Sequence, residues 1–155
     1  MCSGGPGAQD GYWDRGEKVA DAVLAALQRI GTDAVPHLLA GLASPEVCIR
    51  HAAARALGRI RSVKAVPVLI RLLRDEGEGM YFGTRVCDEA ADALGRIGTP
   101  RARKAAVQHH ASVLATEGLG KWTQERSVEA LQRIGSTEAQ KTLADWKARS
   151  QGASH

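Results

Sequence analysis

Four segments of this chain spell nearly the same word: ALQRI at 26–30, ALGRI at 56–60, ALGRI at 93–97 and ALQRI at 130–134. They start 30, 37 and 37 residues apart, a period typical of stacked supersecondary units. Each follows small and apolar residues at helical spacing, such as Ala53, Ala54, Leu57 and Ile60, or Ala90, Ala91, Leu94 and Ile97. Glycine follows three of the four (Gly31, Gly98 and Gly135), where a left-handed residue ends a helix. Arg61 stands there in the second repeat, so that turn is expected to be different or strained.

Two residues beyond each isoleucine comes a hydroxyl: Thr32, Ser62, Thr99 or Ser136. Each is expected to cap a second helix by accepting a hydrogen bond from an unpaired amide. Pro100 then suits the first helical position. The second helices begin AVPHLLAGL (34–42) and AVPVLIRLL (65–73), with apolar stripes Val35, Leu38, Leu39, Leu42 and Val66, Leu69, Ile70, Leu73. Helices of about twelve residues are marginal alone, so each pair must bury its stripe against its neighbours. The expected fold is an all-α solenoid of about four stacked helical hairpins. The pairs fall near 15–44, 46–76, 84–117 and 122–149, in a domain spanning 15–150. A flexible segment is expected at 1–14 and a tail at 151–155.

The stretches IRHAAARALGRIRSVKAVPVLIRLLRD (49–75) and CDEAADALGRIGTPRA (87–102), with weaker copies on either side, resemble HEAT repeats. The nearest likeness is to bacterial HEAT-like repeats of the phycobilisome-lyase type, over roughly residues 17–150. The resemblance implies a solenoid that presents surface to partners, with the second helices on the concave side. It names no single function, because such repeats serve many tasks.

Composition agrees with packed helices. Hydrophobic residues make up 44%, but only six residues are aromatic, so a core must come from Ala, Leu, Val and Ile. No apolar run approaches the roughly 20 residues that span a bilayer, and residues 1–10 lack the basic and apolar regions of a secretory signal. Cys2, Cys48 and Cys87 lack metal-ligand spacing and read as reduced thiols, which points to the cytoplasm. The net charge of +4 is uneven: residues 1–45 carry −2 and the remainder +6, which allows an acidic partner.

Three surfaces are candidates for that partner. Tyr12 and Trp13, Tyr81 and Phe82, and Trp122 sit in glycine-containing approaches to first helices, which could form one aromatic edge. There each ring either staples its own helix entry or serves as a binding anchor. Arg29, Arg59, Arg96 and Arg133 share one repeat position and are expected along the opposite edge, where each cation also offsets a helix dipole. The outward columns of the second helices read Asp33, Lys64, Arg101, Glu138 and Ala40, Arg71, Gln108, Asp145, with Lys104 nearby. In the third pair Arg103 and His110 fall in the apolar column. Either the helix turns to pack Ala102, Ala106, Val113 and Leu114, or His109 or His110 lines a pocket. The partner-binding candidates are Tyr81, Phe82, Trp122, Trp13, Arg71, Arg101, Lys104, Gln108 and His109.

No phosphate loop, dinucleotide fingerprint, Gly-x-Ser-x-Gly elbow, HExxH or paired CxxC occurs. Deoxyhypusine hydroxylases of the HEAT type hold iron with His-Glu pairs at the start of first helices. The matching dipeptides here are His51-Ala52 and Asp88-Glu89, so the resemblance does not carry that activity over. Cys87 and His110 share a pair, but Cys87 lies on the packing stripe and reads as an inert thiol. No catalytic, cofactor-binding or metal-binding residue is expected, and no membrane contact. The expectation is a non-catalytic adaptor or scaffold that binds a protein through its concave face and inter-repeat loops. The alternatives are an accessory subunit like the HEAT-like phycobilin lyases, or nucleic-acid binding through a basic surface. Oligomeric state is left open.

Overall fold

The computed structural model describes Ala26, residues 29–78 and residues 84–152. Trp13, Tyr81 and Phe82 lie outside these residues, as do the segment 1–14 and positions 153–155. The described part holds helices, their connections and an isolated antiparallel bridge between Glu78 and Arg85, with the α-helices in the order α1 (Val35–Gly41), α2 (Val47–Ile60), α3 (Val66–Leu72), α4 (Val86–Ile97), α5 (Pro100–Ala115), α6 (Lys121–Ile134) and α7 (Thr137–Gly152). Ala26, Arg29 and Ile30 are helical as well. Helices α2, α4 and α6 are thus the first helices of successive hairpins, and α1, α3, α5 and α7 the second. The α-solenoid read from the repeats is the architecture observed.

The turns show why the repeat word ends as it does. Gly31, Gly98 and Gly135 have positive φ, and Arg61 joins them with φ 56° and ψ 40°. The second repeat therefore makes the same left-handed turn with a side chain that pays about 1–2 kcal/mol for it. Of the four expected hydroxyl caps, two form. Thr99 Oγ1 accepts from the Ala102 amide at 3.3 Å and Ser136 Oγ from the Ala139 amide at 3.2 Å. In the two earlier repeats Thr32 and Ser62 make no side-chain cap, because a 3-10 turn (Gly31–Ala34, Val63–Ala65) precedes the α-helix. Pro36 and Pro67 then occupy the first turn, where the amide hydrogen they lack would have had no partner.

Leu57, Leu94 and Leu131 of the repeated word are wholly buried, and each preceding alanine is almost so. They join two cores. The larger runs from Val35 and Leu42 through Leu57, Leu69 and Leu94 to Ala106. The smaller holds Val107, Leu114, Leu131, Ala139 and Leu143, and Ile134 packs against both. Helix α5 does turn to bury Ala102, Ala106, Val113 and Leu114, leaving Arg103 exposed, although His110 is buried with them. Gln140 and Lys147 face water on the last hairpin.

Spacing between first helices is not uniform. At Gly58 the backbone of α2 touches α4, and a Cβ added there would lie 2.6 Å from Cα of Ala93. Between α4 and α6 the approach at Gly95 is against a side chain, 3.1 Å from Cγ1 of Ile134. Beyond that point long polar side chains, not alanines, occupy the facing surfaces.

Candidate functional site

Those polar side chains surround a cavity of about 330 Å³ on the first-helix layer. Helix α2 contributes Arg55, the approach to α4 contributes Thr84, α4 contributes Glu89, Asp92 and Arg96, and α6 contributes Trp122, Arg126, Glu129 and Arg133. Steps of three and four residues place each helix's set on one face. The repeat register explains the alignment across helices. Arg55, Asp92 and Glu129 each stand two places before the buried leucine, and Arg96 and Arg133 each two after it.

Asp92 is the anchor. Its carboxylate accepts from Arg126 at 2.5 Å and from Arg133 at 3.1 Å, tying two turns of α6 to α4. Glu89 is buried beside it with only long contacts, 3.8 Å to Arg126 and 3.7 Å to Nε2 of His51. Burial, then the neighbouring Asp92 charge, pushes the Glu89 carboxyl up toward its neutral form. Trp122 is 50% exposed at the rim, and the Arg126 guanidinium lies 5.4 Å from its ring centroid. Arg96 differs from the other cations. It makes no hydrogen bond or ion pair with a described residue. Burial lowers its pKa, the charges of Glu89 and Asp92 oppose that lowering, and the like charges of Arg133 and Arg59 add to it.

A second polar cluster lies within the hairpin of α4 and α5. Asp88 accepts from Arg85 at 2.9 and 3.1 Å and bonds Nε2 of His109 at 2.8 Å. Burial opposes ionisation of Asp88, but the bonds from His109 and Arg85 outweigh it and hold the carboxyl at about 2. The Cys87 thiol lies 3.9 Å from Asp88, and a sulfur, an oxygen and a nitrogen are thereby gathered within 4.8 Å. A metal ion there would have to compete with Arg85 for both carboxylate oxygens. It would also have to deprotonate a thiol that burial, then Asp88, pushes up to about 11. His110, next along α5, is buried with Nδ1 3.3 Å from Ser127 Oγ.

With this geometry in hand, comparison with known proteins is informative. A model of HEAT repeats matches residues 14–80. The match supports the likeness of this part of the chain to HEAT repeats. The hairpins of α4–α5 and α6–α7 continue the same pattern beyond the match. Deoxyhypusine hydroxylase of Rattus norvegicus is 34% identical over 71 residues, covering 46% of this chain and 22% of that protein. The Mus musculus enzyme of the same name is 34% identical over 70 residues, 45% of this chain and 22% of its own length. The chain thus aligns with about a fifth of the length of these relatives.

The positions matched to iron-binding His-Glu pairs can be tested for fit. His51 bonds Thr84 Oγ1 at 2.8 Å, and Arg126 occupies the column of Ala52 and Glu89 in the next repeat. Burial, followed by the charges of Arg55 and Arg126, lowers the His51 pKa to about 4. The positive charges of Arg55 and Arg126 near His51 would oppose a metal cation there. These residues do not fit an iron centre, and the surroundings favour an anion.

The candidates named from the sequence are distributed as follows. Trp122 is at the cavity rim. Arg71, Arg101, Lys104 and Gln108 are exposed on α3 and α5 and do not line the cavity. His109 is mostly buried and committed to Asp88. Trp122 of the expected aromatic edge shares one cavity with Arg96 and Arg133 of the expected basic edge, because positions 122, 126, 129 and 133 form one stripe along α6. Asp92, Glu89, Arg126 and Arg55 were not singled out by the sequence reading. Their signal was a change of charge sign down two repeat columns, Arg55-Asp92-Glu129 and Ala52-Glu89-Arg126.

Proposed function

We propose that this chain is an interaction module that docks a partner protein against its first-helix face, with Trp122 as an anchor. The observation that carries this reading is a cavity framed by first helices of three successive HEAT repeats, with a half-exposed tryptophan at its rim. Aromatic and arginine side chains are the groups most enriched at binding hot spots. The concave columns of the second helices, with Arg71, Arg101, Lys104 and Gln108, form the competing surface. They support it less well, since they are solvated and mixed in charge. The buried Cys87 thiol and the exposed Cys48 thiol suit a reducing compartment such as the cytoplasm. Among the described residues no helix is long and apolar enough to cross a membrane.

A photo-crosslinking amino acid placed at Trp122 tests the reading. In cells that express the chain it should capture one discrete protein, while the same probe at Arg71 should not. Capture from Arg71 alone, or from neither position, would refute docking on the first-helix face. The activity of the relatives is not carried over, because the His51 and Glu89 positions hold no metal-ligand set.

A further inference from the structure

We propose that the cavity between α4 and α6 is a carboxylate-binding site for an acidic segment of the partner, with Arg96 as its principal donor. This rests on the reading of the chain as an interaction module and adds the chemistry of what is bound.

The half-buried guanidinium of Arg96, which makes no hydrogen bond with a described residue, forfeits bonds it would make in water, and the Arg59 and Arg133 charges offset part of its attraction to Glu89 and Asp92. Arg126 and Arg133 have Asp92 as a counter-ion, so they are held in place and Arg96 is left with open donor capacity. Four guanidiniums line the cavity against the three carboxylates of Glu89, Asp92 and Glu129, and burial drives Glu89 toward neutrality. An incoming anion therefore meets a net positive wall. A planar carboxylate matches the fork of a guanidinium and accepts two parallel N–H donors.

Size and wall chemistry choose the source. A volume of about 330 Å³ is at the small end for a ligand cavity and admits one or two side chains. A nucleic-acid backbone would bring a row of phosphates past Glu129, 58% exposed Glu125 and Asp92 on the same side of α4 and α6. Asp and Glu side chains can enter singly, while the partner's backbone or an apolar neighbour rests on Trp122.

The test is fluorescence anisotropy of a labelled hexaglutamate peptide against the full chain at low salt. Saturable binding is expected, with Arg96→Met weakening it about tenfold or more and Arg96→Lys by less. The double variant Arg101→Ala/Lys104→Ala removes two exposed cations of α5 and should bind as the parent does. Circular dichroism confirms that each variant is folded; if Arg96→Met is not, Arg96→Lys against the α5 variant decides. Absence of saturation, equal weakening by the α5 variant, or tighter binding of a single-stranded oligonucleotide of equal charge would overturn the proposal. Crosslinking at Trp122 that survives Arg96→Met unchanged would overturn it too, while leaving the docking face standing.

Discussion

Gly58 of α2 lies so close to Ala93 of α4 that an added Cβ would sit 2.6 Å from Cα and 2.7 Å from Cβ of that alanine. Backbone cannot move aside as a flexible side-chain end can. Gly58→Ala should therefore force the two first helices apart. The cost of overpacking, about 1–3 kcal/mol, exceeds the roughly 1 kcal/mol that alanine gains over glycine in a helix. Thermal unfolding should show a Tm lowered by several degrees. Gly95→Ala is the control: its new methyl meets only the side chain of Ile134, so its Tm should be unchanged or slightly higher. Equal losses at both positions would deny the special closeness of α2 and α4.

Arg61 offers the opposite result. It holds φ 56° where the third and fourth repeats use Gly98 and Gly135. Arg61→Gly removes the steric cost of a side chain in that region, about 1–2 kcal/mol. It returns part of the gain through greater freedom of the unfolded chain. A net stabilisation of about 0.5–1 kcal/mol should appear in urea denaturation as a higher midpoint with unchanged slope. Arg61→Ala, which keeps a Cβ, should give no such gain.

Mild acid should loosen the fold through two histidines. Burial is the first cause that lowers both His51 and His110 from 6.5 to about 4. The folded state thus binds protons less readily than the unfolded chain. Their contribution is complete above about pH 6.5 and is lost as the pH falls toward 4. By pH 5 each should cost on the order of 2 kcal/mol. His51→Gln keeps an Nε2-like partner for Thr84, and His110→Asn keeps one near Ser127. Calorimetry of the double variant should show a flatter dependence of Tm on pH between 7 and 5. A slope equal to the parent's would remove these histidines as the cause.

The described cysteines should differ sharply in reactivity. Cys48 is exposed, whereas Cys87 is buried with its thiol pushed up to about 11. Iodoacetamide at pH 8 followed by peptide mass mapping should find Cys48 modified within minutes and Cys87 only after denaturation, since the thiolate is the reacting form. Rapid labelling of Cys87 in the folded chain would mean that α4 opens easily.

The repeated word made the solenoid legible. Leu57, Leu94 and Leu131 needed only helical spacing to be recognised as core, and Gly98 and Gly135 marked their helix ends. The site was less legible for a physical reason. Periodicity reports which residues a helix buries against apolar neighbours, and Asp92 and Glu89 are buried by their arginine partners instead. The partners of Asp92 are 34 and 41 residues away in sequence, so a scan of single helices sees isolated charges. Thr32 and Ser62 failed as caps because Pro36 and Pro67 lie four and five residues beyond them, behind a 3-10 turn that takes over helix entry.

The division of the interior into two clusters, with Ile134 packing against both, bears on how the molecule breathes. The smaller cluster joins Leu131, Ala139 and Leu143 of the terminal hairpin to Val107 and Leu114 of α5, and Asp92 with its two arginines adds a polar clasp to α4. A thermal fluctuation that parts both contacts lets α6 and α7 swing out together while the earlier repeats stay assembled. Amide hydrogens of the last hairpin should then exchange in concert and ahead of those in α2 and α4. Any partner seated on Trp122 would slow that exchange from a distance.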